Sequence, residues 1–146
     1  MISKPAIKDF FSRYALTMNN ALQEQSYDIK VFLDSFSEYV VGASPLGVFG
    51  GKNDQLFSNS IRQGIDFYKK IGITSMNIRA VEITVLDEYH VLANVHWSSS
   101  YAKEKFSGEI LFQVIYIVQC KDLVSKIFAF VTGDEMSVLR QHQLID

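Results

Sequence analysis

Cysteine, tryptophan and proline are nearly absent from this chain: one Cys, one Trp and two Pro in 146 residues. The single Cys120 excludes a disulfide within the chain, and its place in an apolar strand pattern reads as a buried structural thiol rather than a reactive one. Only three His accompany it. His90 and His96 fall on the same strand face, roughly 20 Å apart along an extended chain, too far to share one ion. No metal or other cofactor is expected. Charge of one sign never accumulates either: 14 Lys and Arg stand against 16 Asp and Glu, for a net charge of -2. Without a basic stripe, nucleic acid is not an expected partner. No apolar run approaches the roughly 18 residues that a membrane helix needs. The first segment carries Lys8, Asp9 and Arg13 where a secretory leader would be uncharged, so the expectation is a cytoplasmic chain that does not touch a membrane.

What the sequence does have is aromatics, at 13% of residues with 11 Phe and 7 Tyr. They fall in a definite order of patterns. From about Pro5 to Gln23, Ile7, Phe10, Phe11, Tyr14, Met18, Ala21 and Leu22 recur at three- and four-residue spacing, which predicts an amphipathic helix with proline in its first turn. A short helix over Tyr27–Leu33 follows, then a strand over Ser37–Val41. Gly42 and Ser44-Pro45 end that strand, and Gly47, Gly50 and Gly51 read as a loop of turns. These glycines lack the Lys-Ser/Thr of a phosphate loop and the context of a dinucleotide site. Asn53 or Asp54 then caps a helix whose buried stripe is Phe57, Ile61, Ile65, Tyr68 and Ile71, and Gly72 stops it.

After Gly72 the period changes to two. Strands are predicted over Asn77–Leu86, over His90–Tyr101, over Ile110–Cys120 and over Val124–Thr132, with a short closing helix or tail from Glu135 to Leu144. In the second of these, Val91, Ala93, Val95, Trp97, Ser99 and Tyr101 share one face. In the third, Phe112, Val114, Tyr116 and Val118 oppose Leu111, Ile115 and Ile117. A strand apolar on both sides is covered on both sides. Helices gathered at one end of the chain and a meander at the other predict a single α+β domain over residues 1–146. Its form is a cone-shaped, strongly bent antiparallel sheet with helices packed on its concave face.

Three segments together carry a resemblance: Phe10-Phe11-Ser12-Arg13-Tyr14 in the first helix, the glycine-marked stretch before the helix ending Phe67-Tyr68-Lys69-Lys70-Ile71-Gly72, and Ala93-Asn94-Val95-His96-Trp97 paired with Val114-Ile115-Tyr116-Ile117-Val118. Over about Ile7 to Glu135 the chain resembles the nuclear transport factor 2-like superfamily, which includes ketosteroid isomerases and SnoaL-like polyketide cyclases. It departs from many relatives in having Ser125 where they carry a Trp. The resemblance implies a conical domain, often a homodimer through the sheet, with a pocket between the first helix and the concave face. It does not imply one function, because the architecture hosts enzymes, binding modules and assembly domains.

Phe10, Tyr14, Trp97, Phe112 and Tyr116 are the expected pocket residues, a set suited to a small hydrophobic ligand and equally able to pack solid. Tyr14 corresponds to the first-helix tyrosine that donates to an oxyanion in the steroid isomerases; as a core tyrosine with a satisfied hydroxyl it needs no such role. The carboxylates of that chemistry are missing, because the matching positions lie in Tyr39-Val40-Val41 and Val114-Ile115-Tyr116. Glu82 and His96 are the remaining catalytic candidates beside Tyr14, each with a plain alternative on a sheet rim or face. Asp34 and Glu38 read as a solvated surface pair. Three functions are therefore carried forward. The first is a pocket that binds a small hydrophobic molecule. The second is a small lyase, isomerase or cyclase using Tyr14 with Glu82 or His96. The third is a non-catalytic dimeric interaction domain that docks through Leu111, Ile115, Ile117 and Phe128.

Overall fold

A computed structural model describes residues 2–24 and 26–146. Helix α1 (Lys4–Gln23) starts where the Ser3 hydroxyl accepts a hydrogen bond from the Ala6 amide at 3.3 Å, with Pro5 in the first turn. Its apolar face buries Ile7, Phe10, Phe11, Ala15, Ala21 and Leu22. Asp28 caps the five-residue helix α2 (Ile29–Leu33) through the Lys30 amide at 3.0 Å. Asp54 caps α3 (Gln55–Ile71) by accepting from the amides of Leu56 and Phe57, and Gly72, at φ 98°, ends it in the left-handed region that glycine enters most easily. A last helix, α4 (Glu135–Gln141), follows the sheet.

The strands are β1 (Phe36–Ser44), β2 (Gly47–Lys52), β3 (Ile73–Val85), β4 (His90–Lys103), β5 (Phe106–Lys121) and β6 (Val124–Thr132), in the spatial order β2-β1-β6-β5-β4-β3. The fold is α+β, as expected, and two details differ. The sheet is open and mixed rather than wholly antiparallel. The chain leaves β1, runs through β2, α3 and three long strands, and returns β6 alongside β1 in the same direction, making the one parallel pair among the described residues. The glycine stretch is not a loop of turns. Pro45-Leu46 make a two-residue connection, and Gly47–Lys52 pairs back on β1 from Ser44↔Gly47 to Tyr39↔Lys52. Gly50 sits so close to its neighbour strand that a Cβ there would lie 2.7 Å from the Val40 carbonyl oxygen, so glycine is what permits the pairing.

Alternation in β4 and β5 aims Val91, Ala93, Val95 and Trp97, with Ile110, Val114, Tyr116 and Val118, at one face, where they pack under α1. Phe11 meets Tyr116 there at a ring-centroid distance of 5.0 Å. Register shifts at Ile73/Ser75 and Ile78/Ala80 in the β3–β4 pair, and at Ile117/Val118 between β5 and β6, bend the sheet around this face. The exposed edge of β3 is tied to α1 at Met76. Its amide donates to the Asn19 side-chain oxygen at 2.7 Å, and its carbonyl accepts from the Asn19 nitrogen at 2.9 Å. The other sheet face leaves Tyr39, Val41, Leu111 and Val131 exposed.

Candidate functional site

The space between the three helices α1, α2 and α3, the inner sheet face and the start of α4 is not filled. It holds a cavity of about 590 Å³. Tyr14 and Met18 reach it from α1, Phe32 from α2, and Phe57, Ile61 and Tyr68 from α3. Trp97, Phe112 and Tyr116 form its sheet wall, and Glu135 closes it from α4. Helical spacing puts Tyr14 four residues before Met18 on one face of α1, and the two-residue period of β4 and β5 turns Trp97, Phe112 and Tyr116 inward together. Trp97 is held flat by stacking on Phe112 at 6.3 Å and 12°. Tyr14 packs against two of the three sheet aromatics, with ring centroids 6.2 Å from Trp97 and 6.1 Å from Tyr116.

The polar groups of this cavity fall into two sets. In the first, burial pushes the Tyr14 phenol up to about 12, an effect partly offset by the hydroxyl of Tyr116. Burial also raises Tyr116 well above the phenolic range, and the neighbouring Tyr14 adds to it. The Trp97 indole N–H leans toward Tyr116, lowering that rise, but its Nε1 completes no hydrogen bond of full geometry among the described residues. These phenols therefore stay protonated throughout the physiological range. In the second set, the Tyr68 hydroxyl donates to Glu135 Oε1. Burial raises the Glu135 carboxyl above the usual range, the Tyr68 hydrogen bond offsetting part of the rise, and burial together with the Glu135 charge holds Tyr68 well above its own. Asp134, next along the wall, is committed to capping α4. It accepts from the Ser137 amide at 3.1 Å and the Ser137 hydroxyl at 2.7 Å, and both hold it below the usual carboxylate range. Among the described residues no Lys, Arg or His lines the cavity. No group of three or more His, Cys, Asp or Glu among them is placed to hold a metal ion.

Of the residues singled out in the sequence, Tyr14, Trp97, Phe112 and Tyr116 meet in this cavity, and three do not reach it. Phe10 is buried edge-on against Phe11 at 5.1 Å, inside the packed part of the core. Glu82 and His96 form a contact with each other across β3 and β4, on the face opposite Trp97, with the Glu82 side chain 67% exposed. The strand period decides this: with Val95 and Trp97 turned inward, His96 must turn outward, so neither residue can act with Tyr14. Glu38 faces Lys52 on the surface at 3.9 Å rather than partnering Asp34. Tyr68 and Glu135 are the site residues that sequence reasoning missed. The only signal was a lone carboxylate pair, Asp134-Glu135, directly after the last strand.

A second groove, about 600 Å³, lies between the β1–β2 hairpin and the start of α3. It shares Phe57, Phe130 and Thr132 with the cavity, so those residues are the partition between the two spaces.

Residues 3–135 match the sequence pattern of a family described as NTF2-like protein (DUF6841). No curated protein matches the chain. Among solved structures, the chain is similar to an NTF2-like protein with a cystatin-like fold from Novosphingobium aromaticivorans, at 12% identity and a TM-score of 0.70, covering 98% of this chain and 88% of that one. An NTF2-like protein of unknown function from Shewanella oneidensis aligns at 12% identity and a TM-score of 0.65, over 91% of this chain and 100% of that one. A protein of unknown function from Mycobacterium tuberculosis aligns at 14% identity and a TM-score of 0.64, over 87% and 68%. At such identities the likeness is one of fold.

Proposed function

The chain belongs to the NTF2-like family DUF6841, and from that premise we propose that it binds a small, mainly apolar molecule in the cavity between its helices and the inner sheet face. The observation that carries this reading is the cavity itself, about 590 Å³ walled by aromatic and aliphatic side chains with a few polar groups converging on it. That combination is the usual composition of a small-molecule site. Titration with a neutral apolar dye such as Nile red tests it. Saturable binding of one dye per chain is expected, and it is lost when Val138→Trp fills the space from α4 while circular dichroism stays unchanged. Dye that fails to saturate, or that binds the filled variant equally well, sinks the reading.

A second reading, acid–base catalysis on the bound molecule, is favoured by one observation only: the carboxyl of Glu135, raised by burial and hydrogen-bonded to Tyr68. It replaces Glu82 and His96 as the candidate for a small lyase, isomerase or cyclase. Under that reading Glu135→Gln abolishes turnover of a substrate that the variant still binds. Homodimerisation through Leu111, Ile115, Ile117 and Phe128 is compatible with either, because Ile115, Ile117 and Phe128 are not part of the cavity lining and Leu111, which borders it, is 55% exposed.

A further inference from the structure

Resting on the ligand-binding reading above, we propose that the preferred ligand is a cation: a protonated amine carried on an apolar frame, with its ammonium seated against Glu135. The first observation is the charge inventory of the wall. Asp134 and Glu135 are the charged side chains that line the cavity, and no Lys, Arg or His joins them among the described residues. The second is how those two carboxylates are occupied. Both oxygens of Asp134 are engaged by Ser137. Glu135 has one partner, the Tyr68 hydroxyl on Oε1, and forms no salt bridge among the described residues. A carboxylate set into an apolar wall with one neutral donor is short of a counter-ion, and an ammonium from the ligand supplies it. The third observation is the rest of the wall. Tyr14, Tyr68, Trp97 and Tyr116 line the same space, and aromatic rings attract a cation through their quadrupoles. An anionic head group finds the opposite, two carboxylates and no positive partner.

Three compounds of one shape test this: adamantylamine, adamantanol and adamantane carboxylate, titrated calorimetrically into the full chain. The emission of Trp97, the only tryptophan in the sequence, gives an independent reading at the site. Adamantylamine is expected to bind about tenfold tighter than adamantanol, the scale of one hydrogen bond to a charged group, and the carboxylate weakest. Glu135→Gln should remove the amine's advantage over adamantanol. Tyr68→Phe, which frees Oε1, should keep or increase that advantage. Equal affinity for amine and alcohol, or tightest binding of the carboxylate, overturns the cationic ligand while leaving the cavity reading intact. Failure of all three to bind, together with failure of the neutral dye, overturns both. The selectivity of the unaltered protein decides the matter even if a variant does not fold.

Discussion

Glu135 and Tyr68 show most directly what a single residue contributes to this molecule. Because burial raises the folded-state carboxyl of Glu135 above its ordinary value of 4.5, the folded chain holds that proton more tightly than the unfolded chain does. Its contribution to stability is therefore complete below about 4.5 and is lost as pH rises through the folded value. Asp134 and Asp87, both held below the ordinary 3.8, act in the other direction: their contribution is present above that value and is lost on acidification. Urea unfolding between pH 4 and pH 8 should thus show the Glu135→Gln variant losing less stability than the unaltered chain as pH rises. The reverse order would mean that the carboxylate is already compensated in the folded state. Tyr68→Phe should destabilise at neutral pH by about 1–3 kcal/mol, the price of leaving a buried acceptor unpaired. These two residues were not legible in the sequence as a pair. Helical spacing assigned Tyr68 to a buried stripe, but nothing local says that its hydroxyl meets a carboxylate 67 residues further along the chain. Trp97, Phe112 and Tyr116 were legible because a period of two aims a residue without reference to distant sequence.

At the scale of elements, legibility follows the same division between local and distant causes. The ends of α3 were readable because Asp54 and Gly72 each satisfy backbone groups within a few residues of themselves. Strand β2 was not, because glycine is depleted in strands generally and is required here only by the approach of β1. The parallel pairing of β1 with β6 was equally hidden, since no spacing within either segment specifies its partner. Two glycines make this testable. A Cβ at Gly72 would sit 2.6 Å from the Ala102 carbonyl oxygen, at a φ of 98° that side chains rarely adopt. Gly72 also accepts the Ala102 amide at 2.9 Å, which links the end of α3 to β4. Gly72→Ala should therefore destabilise by about 1–3 kcal/mol, read as a lower urea midpoint at unchanged slope. At Gly42 the obstacle is softer: a Cβ would lie 2.6 Å from Cζ of Phe130. That ring is part of the partition between cavity and groove, so Gly42→Ala should both destabilise and weaken dye binding. A loss of stability with unaltered affinity would show that Phe130 moves away from the cavity rather than into it.

At the scale of the whole molecule, the outer face of the sheet is an apolar surface that the described residues leave uncovered. The helices occupy the inner face of the sheet, whereas Leu111, Val41 and Val131 on the outer face are exposed and Ile115, Ile117 and Phe128 are half-buried. The double-sided apolar pattern of β5 and β6, visible in the sequence, has its first explanation in the helices and lacks its second within one chain. A second copy of the same face would supply a self-complementary partner through a two-fold axis, and a stable pairing of this kind buries about 800 Å² on each side. The polar members of the same face fit a rim. Asn94 donates to Gln113 at 3.0 Å and His96 contacts Glu82, while the buried Asn94 Oδ1 has no hydrogen-bond partner among the described residues. Sedimentation velocity at micromolar concentration should then give a dimer for the unaltered chain. The double substitution Ile115→Glu and Ile117→Lys should give a monomer with the same circular dichroism and the same dye affinity, because neither residue lines the cavity. A monomer before substitution would leave the outer face to a different partner. A dimer that survives it would place the contact elsewhere, with the exposed β1–β2 hairpin, carrying Leu46, Val48 and Phe49, the next surface to change.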